Sequence, residues 1–537
     1  MTETGSEVAA DQAEVYAFLA NPETYRSQGG AVVGEKDAAM RVDRIDTHGA
    51  IVFLAGPDVY KMKRAVRFPF MDFSTLEKRR AACENEISVN RRNAPELYLG
   101  TVPIRRDAKG LHLGGESGVI VEWLVHLRRF DETKTFDRLA GRGALGLTLM
   151  PALAETIAAA HEHAPMRDHG ATQMLRRWLA DTLDALAAAG DIFPGEEVGV
   201  LRRSCFGLFA EVEPLLVARE AAGYVRLCHG DLHLRNIVLY EDRPVLFDAI
   251  EFDDSIATCD TLYDFAFVLM DLWQRGLHAH ANRLFNFYLW RIRANEPALE
   301  GLAAMPLFLA LRAAIRARVT AALCRLESDA HESDAHESNV YETRIAEAQR
   351  FFAAAKTFVE AKPARLIAIG GLSGSGKSTL AKDLAPSIGR APGAVHLRSD
   401  IERKRFFGFG ACEKLPDEAY RPEITLKVYE RLRHLAAIAL KAGHCVIVDA
   451  VHAKAEERDA LATLTARINV PFTGFWLDAP VETLMARVEA RTHDASDAKA
   501  AIVQQQLTWE LGSVTWERLD ASLPLAELKA QALHKMG

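Results

Sequence analysis

Arg365-Leu-Ile-Ala-Ile-Gly370-Gly371-Leu372-Ser373-Gly374-Ser375-Gly376-Lys377-Ser378-Thr379 is the stretch that settles the architecture of the C-terminal third of this chain. An apolar, strand-like run stops at a glycine pair, and Gly371 to Ser378 fit G-x-x-x-x-G-K-[ST] in full. TLAKDLA follows with a helical pattern. Strand, glycine-rich loop and helix N-terminus in that order make a phosphate cradle: glycines let backbone N–H groups turn inward, and the helix dipole favours negative charge. Lys377 then reaches the β- and γ-phosphates, and the Ser378 hydroxyl holds Mg²⁺. Gly371, Ser373, Gly374, Ser375, Gly376 and Thr379 complete the expected nucleotide contacts. Downstream, the apolar runs RLIAIGG, AVHLRSD, CVIVDAV and FTGFWLD alternate with helical segments. That alternation predicts an α/β P-loop NTPase domain with a parallel sheet covered on both faces.

Ligands of parallel sheets collect at the carboxyl ends of the strands. Asp400 ends AVHLRSD and Asp449 ends CVIVDA. Each either orders Mg²⁺ and its water, accepts a proton from an attacking hydroxyl, or caps the next helix. We assign Asp400 to proton transfer and Asp449 to the metal. Arg487 and Arg491 stand four apart on VETLMARVEAR and share one helix face, either as a lid over the phosphates or as solvated surface arginines.

A second motif lies upstream. His229-Gly-Asp231-Leu-His-Leu-Arg-Asn236 precedes the strand-like PVLFDAIEFDD, which contains Asp248. This is the spacing of a kinase catalytic loop, with Asp231 as base and with Asn236 and Asp248 as Mg²⁺ ligands. Residues from about Met40 to Val121 read as a strand-rich lobe, with AIVFLAG and GVIVEWL as its clearest strands. One helix, Ser74–Arg92, interrupts it behind a Ser cap. From Thr148 to about Lys356 the chain reads as Ala/Leu/Arg-rich helix, broken near Ala222–Phe252 by two short strands. The expected domains are an N-terminal helical extension (1–39), a β-rich lobe (40–125), a helical lobe (126–360) and the P-loop domain (364–537). Pro363 marks the boundary between the last two.

The HGDxxxxN loop resembles that of aminoglycoside phosphotransferases (APH) and related small-molecule kinases. The resemblance implies a bilobal, protein-kinase-like α+β fold. Within it, Lys61 of Val59-Tyr60-Lys61 would bind the α/β-phosphates, with Lys63 as a same-face competitor. Glu86 would be its ion-pair partner, with Glu84 second. Glu122 to Leu124 would be the hinge that bonds adenine through its backbone, and Asp264 in CDTLYDFAF would brace the fold. Before Ala50 the chain reads THGAIVFLAG, without a G-x-G-x-x-G loop. GLSGSGKST, RSDIERKR, VIVDA and RVEARTHDASDA, across about Arg365 to Leu511, resemble the small P-loop kinases grouped with zeta toxins, chloramphenicol phosphotransferase and polynucleotide kinase. In that group the aspartate after the second strand, here Asp400, contacts the acceptor hydroxyl. The whole layout resembles bacterial proteins that join an APH-like domain to such an AAA-family P-loop domain.

The functional expectation is a bifunctional ATP- and Mg²⁺-dependent kinase acting on unidentified small hydroxylated acceptors. Two other classes stay open: a regulatory ATP-binding protein with a weak first site, and a polynucleotide 5′-hydroxyl kinase. Net charge is −8 over 537 residues, which weighs against nucleic acid and anionic membrane as partners. Seven scattered cysteines without a CxxC pair read as reduced thiols. The acidic N-terminus has no apolar signal region, and no membrane span is expected, which points to the cytoplasm. The tandem SDAHE repeat over 328–338 sets His331 and His336 five apart, off one helix face, and reads as a polar duplication ahead of a metal or partner site. Oligomeric state is left open.

Overall fold

A computed structural model describes residues 4–26, 41–47, 49–68, 71–167, 170–292, 295–328, 335–410, 413–490, 496–497 and 500–536. They form two compact units, Met1–Arg167 with Val225–Asp264, and Asp168–Tyr224 with Phe265–Gly537. His331 and Arg491 lie outside the described residues, as does the side chain of His336.

The first unit opens with helices α1 (Thr4–Ala20) and α2 (Glu23–Arg26). Strands β1 (Val42–Asp46), β2 (Ala50–Ala55) and β3 (Asp58–Lys63) follow, then a small ribbon of β4 (Arg67–Phe68) and β5 (Met71–Asp72). Helix α3 (Leu76–Asn90) leads into β6 (Tyr98–Asp107), β7 (Gly110–Leu113) and β8 (Val119–Arg128). All strands but the small ribbon form one antiparallel sheet in the order β1-β2-β3-β8-β6-β7. Period-two alternation in β2 sends Ile51, Phe53 and Ala55 into a core that Val15 and Leu19 of α1 close. The expected Ser cap of α3 needs correcting. Thr75 accepts from the Lys78 N–H at 3.3 Å, while Ser74 donates its hydroxyl to Asp72.

After α4 (Phe136–Gly141) and α5 (Met150–His163) the chain enters the second unit for α6 (Ala171–Ala188) and α7 (Gly195–Ala221). It returns to the first for β9 (Val225–Leu227), β10 (Ile237–Tyr240), β11 (Arg243–Leu246), α8 (Asp254–Ala257) and β12 (Thr258–Asp260). Three of these strands fall in the span Ala222–Phe252 where the sequence pattern suggested two, β12 lies beyond it, and they pair as β9–β12 and β10–β11. They are too short to show alternation. The loop His229–Asn236 runs between the two ribbons.

Helix α9 (Thr261–Gln274) passes from the first unit into the second, followed by α10 (His278–Arg291), α11 (Asn295–Gly301), α12 (Met305–Ser328) and α13 (Ala335–Val359). The stretch Asn295–Arg325 is long and apolar enough to cross a membrane, but its most apolar window is 83% buried inside the fold. Then come β13 (Leu366–Gly370), α14 (Lys377–Leu384), β14 (Val395–Arg398), α15 (Ser399–Phe406), α16 (Pro422–Lys441), β15 (Val446–Asp449), α17 (Ala455–Arg467), β16 (Phe472–Asp478), α18 (Val481–Glu489), α19 (Ala500–Leu507), β17 (Glu517–Asp520) and α20 (Leu525–Lys535). The sheet is parallel, in the order β14-β15-β13-β16-β17. The four strands expected from the sequence form its first four positions. Residues of β13 are buried on both faces, as continuous apolar runs in parallel sheets are.

β14 is an edge strand, and α10 covers that edge. Asn282 donates to the carbonyls of Pro392 and Ala394. Asn286 donates to Ala394 O and accepts from His396 N–H at 2.7 Å. Trp290 donates to His396 O at 2.9 Å. Positions 282, 286 and 290 share one helix face, so a single helix satisfies backbone groups that an open edge leaves exposed.

Candidate active sites

The first site stands on the β3–α3 pair and the loop after β9. Lys61 projects from β3 onto Glu86 of α3 at 2.9 Å and onto Asp248 at 3.0 Å. Lys63 lies two residues on, hence on the same face, and contacts the other Glu86 oxygen at 2.5 Å and also Glu251. Glu86 therefore serves both lysines, and Glu84 instead pairs with Arg80 on the helix surface. Burial alone pushes the Glu86 carboxyl up, but the two ammonium groups outweigh it and hold it down to about 2. Burial pulls Lys61 down, and Asp248, Glu86 and Glu251 together more than reverse this, so it stays charged.

Asp231 and Asp248 keep exposed carboxylates, 39% and 47%, while the groups that aim them are buried. Asn236 donates Nδ2 to Asp231 O and to Asp231 Oδ2 at 3.0 and 2.9 Å. His229 is buried, is pulled down by that burial, and bonds Phe247 O at 2.9 Å. Asp264 accepts the N–H groups of His229 and Gly230. Asp248 has φ +59°, a strained conformation for a residue with a side chain, and its N–H is tied to Tyr98 OH at 3.0 Å. Such strain collects where a carboxylate must face a ligand.

The hinge placement needs correcting. Glu122 and Leu124 lie inside β8, which runs on to Arg128. Leu124 is paired with Met62 on one side and Val102 on the other, so its backbone is spent on the sheet. The Glu122 side chain is buried, bound to Arg79 at 2.8 Å and to Gln12 of α1 at 2.7 Å. Both residues are structural, and a backbone free to bond a base begins only where β8 ends. At the β1–β2 turn, a Cβ on Gly49 would stand 2.8 Å from Met71 Cε, so this hairpin is packed down on a side chain.

The second site is the loop between β13 and α14. Gly371, Gly374 and Gly376 have φ of +138°, +88° and +89°. A Cβ on Gly371 would meet Leu477 O at 2.7 Å, and one on Gly374 would meet Leu484 O at 2.4 Å. Only glycine lets this backbone close, which is the shape a phosphate cradle requires. Ser375 has a buried hydroxyl with no partner among the described residues, and Thr379 continues the first turn of α14. Lys377 Nζ lies across the loop on Gly371 O and Leu372 O at 2.8 and 2.9 Å. Ser373 N–H is held by Gln506 of α19 at 2.7 Å, and Arg487 brings a guanidinium nitrogen within 3.9 Å of a Cβ placed on Gly376.

Ser378 donates to Asp449 at 2.6 Å, which joins the two expected metal-side groups directly. Asp449 also meets His396 at 3.2 Å and Arg398 at 3.5 Å. Burial opposes its charge, but His396, Arg398 and Lys377 hold its carboxyl well below the usual range. Asp400 lies in the first turn of α15 and behaves oppositely. Burial pushes it up, against the pull of Arg398, and the nearby Asp449 charge adds to the rise. One carboxylate stays ionised beside the cradle while its neighbour gains affinity for a proton.

Residues 120–302 match the family described as "Phosphotransferase enzyme family", and residues 366–509 match the family described as "AAA domain". The chain joins a phosphotransferase-family domain to an AAA-family P-loop domain. Uncharacterized proteins of Mycobacterium tuberculosis and Mycobacterium bovis are 28% identical over 511 residues, 92% of this chain and 95% of theirs. Among solved structures, a sugar kinase from Janibacter sp. is 24% identical over 32% of this chain and 95% of its own, with TM-score 0.25. A choline/ethanolamine kinase family protein from Mesorhizobium loti is 16% identical over 65% and 99%, with TM-score 0.34.

Several site residues escaped the sequence reading. Around the first site these are Glu251, Tyr98 and Asn90, whose Oδ1 accepts from Ala249 N–H at 2.7 Å. In the AAA domain they are His396, Gln506 and His452. His452 is buried with φ +52°, its N–H on Tyr429 OH. None belongs to a spaced motif. A histidine inside the apolar run AVHLRSD was the one local hint.

Proposed function

We propose that this chain is a bifunctional ATP-dependent phosphotransferase acting on hydroxyls of small cytoplasmic molecules. The observation that carries the reading is that opposite charges for in-line phosphoryl transfer are gathered twice. Lys61, Asp248, Asn236 and Asp231 converge in one domain, and Lys377, Ser378, Asp449 and Asp400 in the other. ATP, when bound with Mg²⁺, supplies the γ-phosphoryl group. In the first site Lys61 orients the α/β-phosphates, Asn236 and Asp248 hold the metal, and Asp231 takes the acceptor's hydroxyl proton. In the second the loop amides and Lys377 hold the β/γ-phosphates, Ser378 and Asp449 serve the metal, Asp400 takes the proton, and Arg487 covers the phosphates.

The packed β1–β2 turn favours a second reading for the first site alone, as an ATP sensor with slow turnover. Transfer from γ-labelled ATP into a small-metabolite extract separates the two. It compares wild type with Asp231→Ala, Lys377→Ala and the double variant. A labelled small molecule lost in one single variant establishes a kinase and assigns its domain. Label found only as free phosphate, or nowhere despite ATP binding, sinks the bifunctional reading.

A further inference from the structure

We propose that His161, Cys228 and Asp264 form a binding site for a thiophilic divalent cation of the Zn²⁺ class, beneath the loop that carries Asp231. The three come from separate elements: the last turn of α5, the residue after β9, and the first turn of α9. Each offers one ligand atom, and these atoms lie within 4.8 Å of one another. His161 Nε2 and Asp264 Oδ2 are 3.2 Å apart. Nitrogen and oxygen ligands on a tetrahedral zinc stand about 3.3 Å apart, given bonds of roughly 2.0–2.1 Å. Closing the thiol in takes only a small side-chain movement.

The donor set selects the ion. One sulfur with one imidazole suits Zn²⁺ and disfavours Mg²⁺, which wants oxygen ligands. Thiolate and carboxylate balance the two positive charges in a place where His161 and Asp264 are buried and Cys228 is half-buried. All three line one cavity of about 210 Å³, which gives the ion an entry path and room for a water as fourth ligand. Binding displaces the thiol proton, which now points at Cys259 O at 3.7 Å. The neutral imidazole binds through Nε2 with its hydrogen on Nδ1, so the thiol proton is the one that leaves per ion bound and nothing is oxidised.

Occupancy has a consequence for the loop. Asp264 Oδ1 holds the Gly230 N–H at 2.9 Å and Oδ2 the His229 N–H at 3.3 Å. A cation on Oδ2 competes with that second bond and loosens the backbone that positions Asp231. This control role rests on the phosphotransferase reading of the first site; the binding site does not.

Titration of the full-length, metal-free protein with Co²⁺ tests the site. The expected result is a thiolate-to-cobalt band in the near ultraviolet, with tetrahedral visible bands, saturating at one equivalent and removed by Zn²⁺. Cys228→Ser abolishes the band. Cys259→Ser and the pair His331→Ala/His336→Ala keep it. In unsubstituted protein, Zn²⁺ also slows alkylation of Cys228 at least tenfold, a readout that needs no variant to fold. Absence of the band, its survival in Cys228→Ser, or unchanged alkylation overturns the site. Zn²⁺ should also cut first-site turnover at least tenfold, with recovery on chelation and insensitivity in Cys228→Ser. A band without loss of turnover removes the control role. No turnover in Zn²⁺-free protein supplied with Mg²⁺ and ATP counts against the kinase reading and leaves the site standing.

Discussion

Replacing Glu86 by Gln tests the electrostatics of the first site most directly. The side chain is fully buried, at 0% exposure, and lies between Lys61 at 2.9 Å and Lys63 at 2.5 Å, the latter only 2% exposed. Glutamine keeps the shape and removes the charge, which leaves two ammonium groups short of a counter-ion. Removing one partner of a buried pair costs about 3–5 kcal/mol. Lys61 retains Asp248 and Lys63 retains Glu251, so about 3 kcal/mol is the appropriate figure. In a domain of this size 1 kcal/mol moves Tm by about 2–4 °C, so calorimetry should show the first-unit transition fall by about 6–12 °C. Adding Lys63→Met removes the ammonium most dependent on Glu86, and the double variant should recover at least a third of the loss. The effect depends on pH with a definite sign. Glu86 is held at about 2 against an ordinary 4.5, so its contribution is complete above pH 4.5 and fades as pH falls toward 2. The gap between wild type and variant should therefore be constant above pH 4.5 and shrink below it. A drop under 2 °C at neutral pH, or strictly additive effects in the double variant, would refute this account.

Gly374→Ala should weaken nucleotide binding at the second site at least tenfold in calorimetric titration, because its Cβ would stand 2.4 Å from Leu484 O; Gly276→Ala, at φ +77° with open space around it, should leave that affinity unchanged. Asn286→Leu strands the His396 N–H at the β14 edge, at about 1–3 kcal/mol, while the Ala394 carbonyl keeps its bond from Asn282. Faster hydrogen exchange over Val395–Arg398 is the expected readout, and unchanged protection would count against the edge-cover role. Burial pulls His444 down to about 4 and His452 to about 3. Below pH 6.5 the unfolded chain takes protons that these folded histidines refuse, so the second unit loses up to about 1.4 kcal/mol per pH unit for each. His444→Asn should flatten the fall in Tm between pH 6 and pH 5, and an unchanged slope would show that His444 is not its source.

Spacing along the chain was enough to read both phosphate-handling motifs, since each is a loop whose chemistry depends on neighbours a few residues apart. Asp231 with Asn236 and Gly371 with Ser378 are of this kind. The four parallel strands were equally legible, because their apolar runs are continuous. β17, with one buried residue, Leu519, in ERLD, carries almost no such signal. The error at Glu122 has a plain cause: GVIVEWL reads as a strand, but where that strand stops depends on its partners β3 and β6, distant in sequence. The same holds for Thr75 over Ser74, a choice of cap made by geometry one residue wide.

Other features arise only when distant segments meet. That Glu86 serves two lysines follows from the registry of α3 against β3. The joining of Ser378 to Asp449, with His396 and Arg398 behind, follows from adjacent parallel strands ending at one level. Helix α10 lies about a hundred residues before the edge it covers, and its Asn–Asn–Trp face looks like any polar helix face until β14 is set beside it. His161, Cys228 and Asp264 likewise come from three elements and share no spacing. Short-range order writes motifs into the chain, whereas burial, counter-charge and edge satisfaction are set by which surfaces the fold brings together.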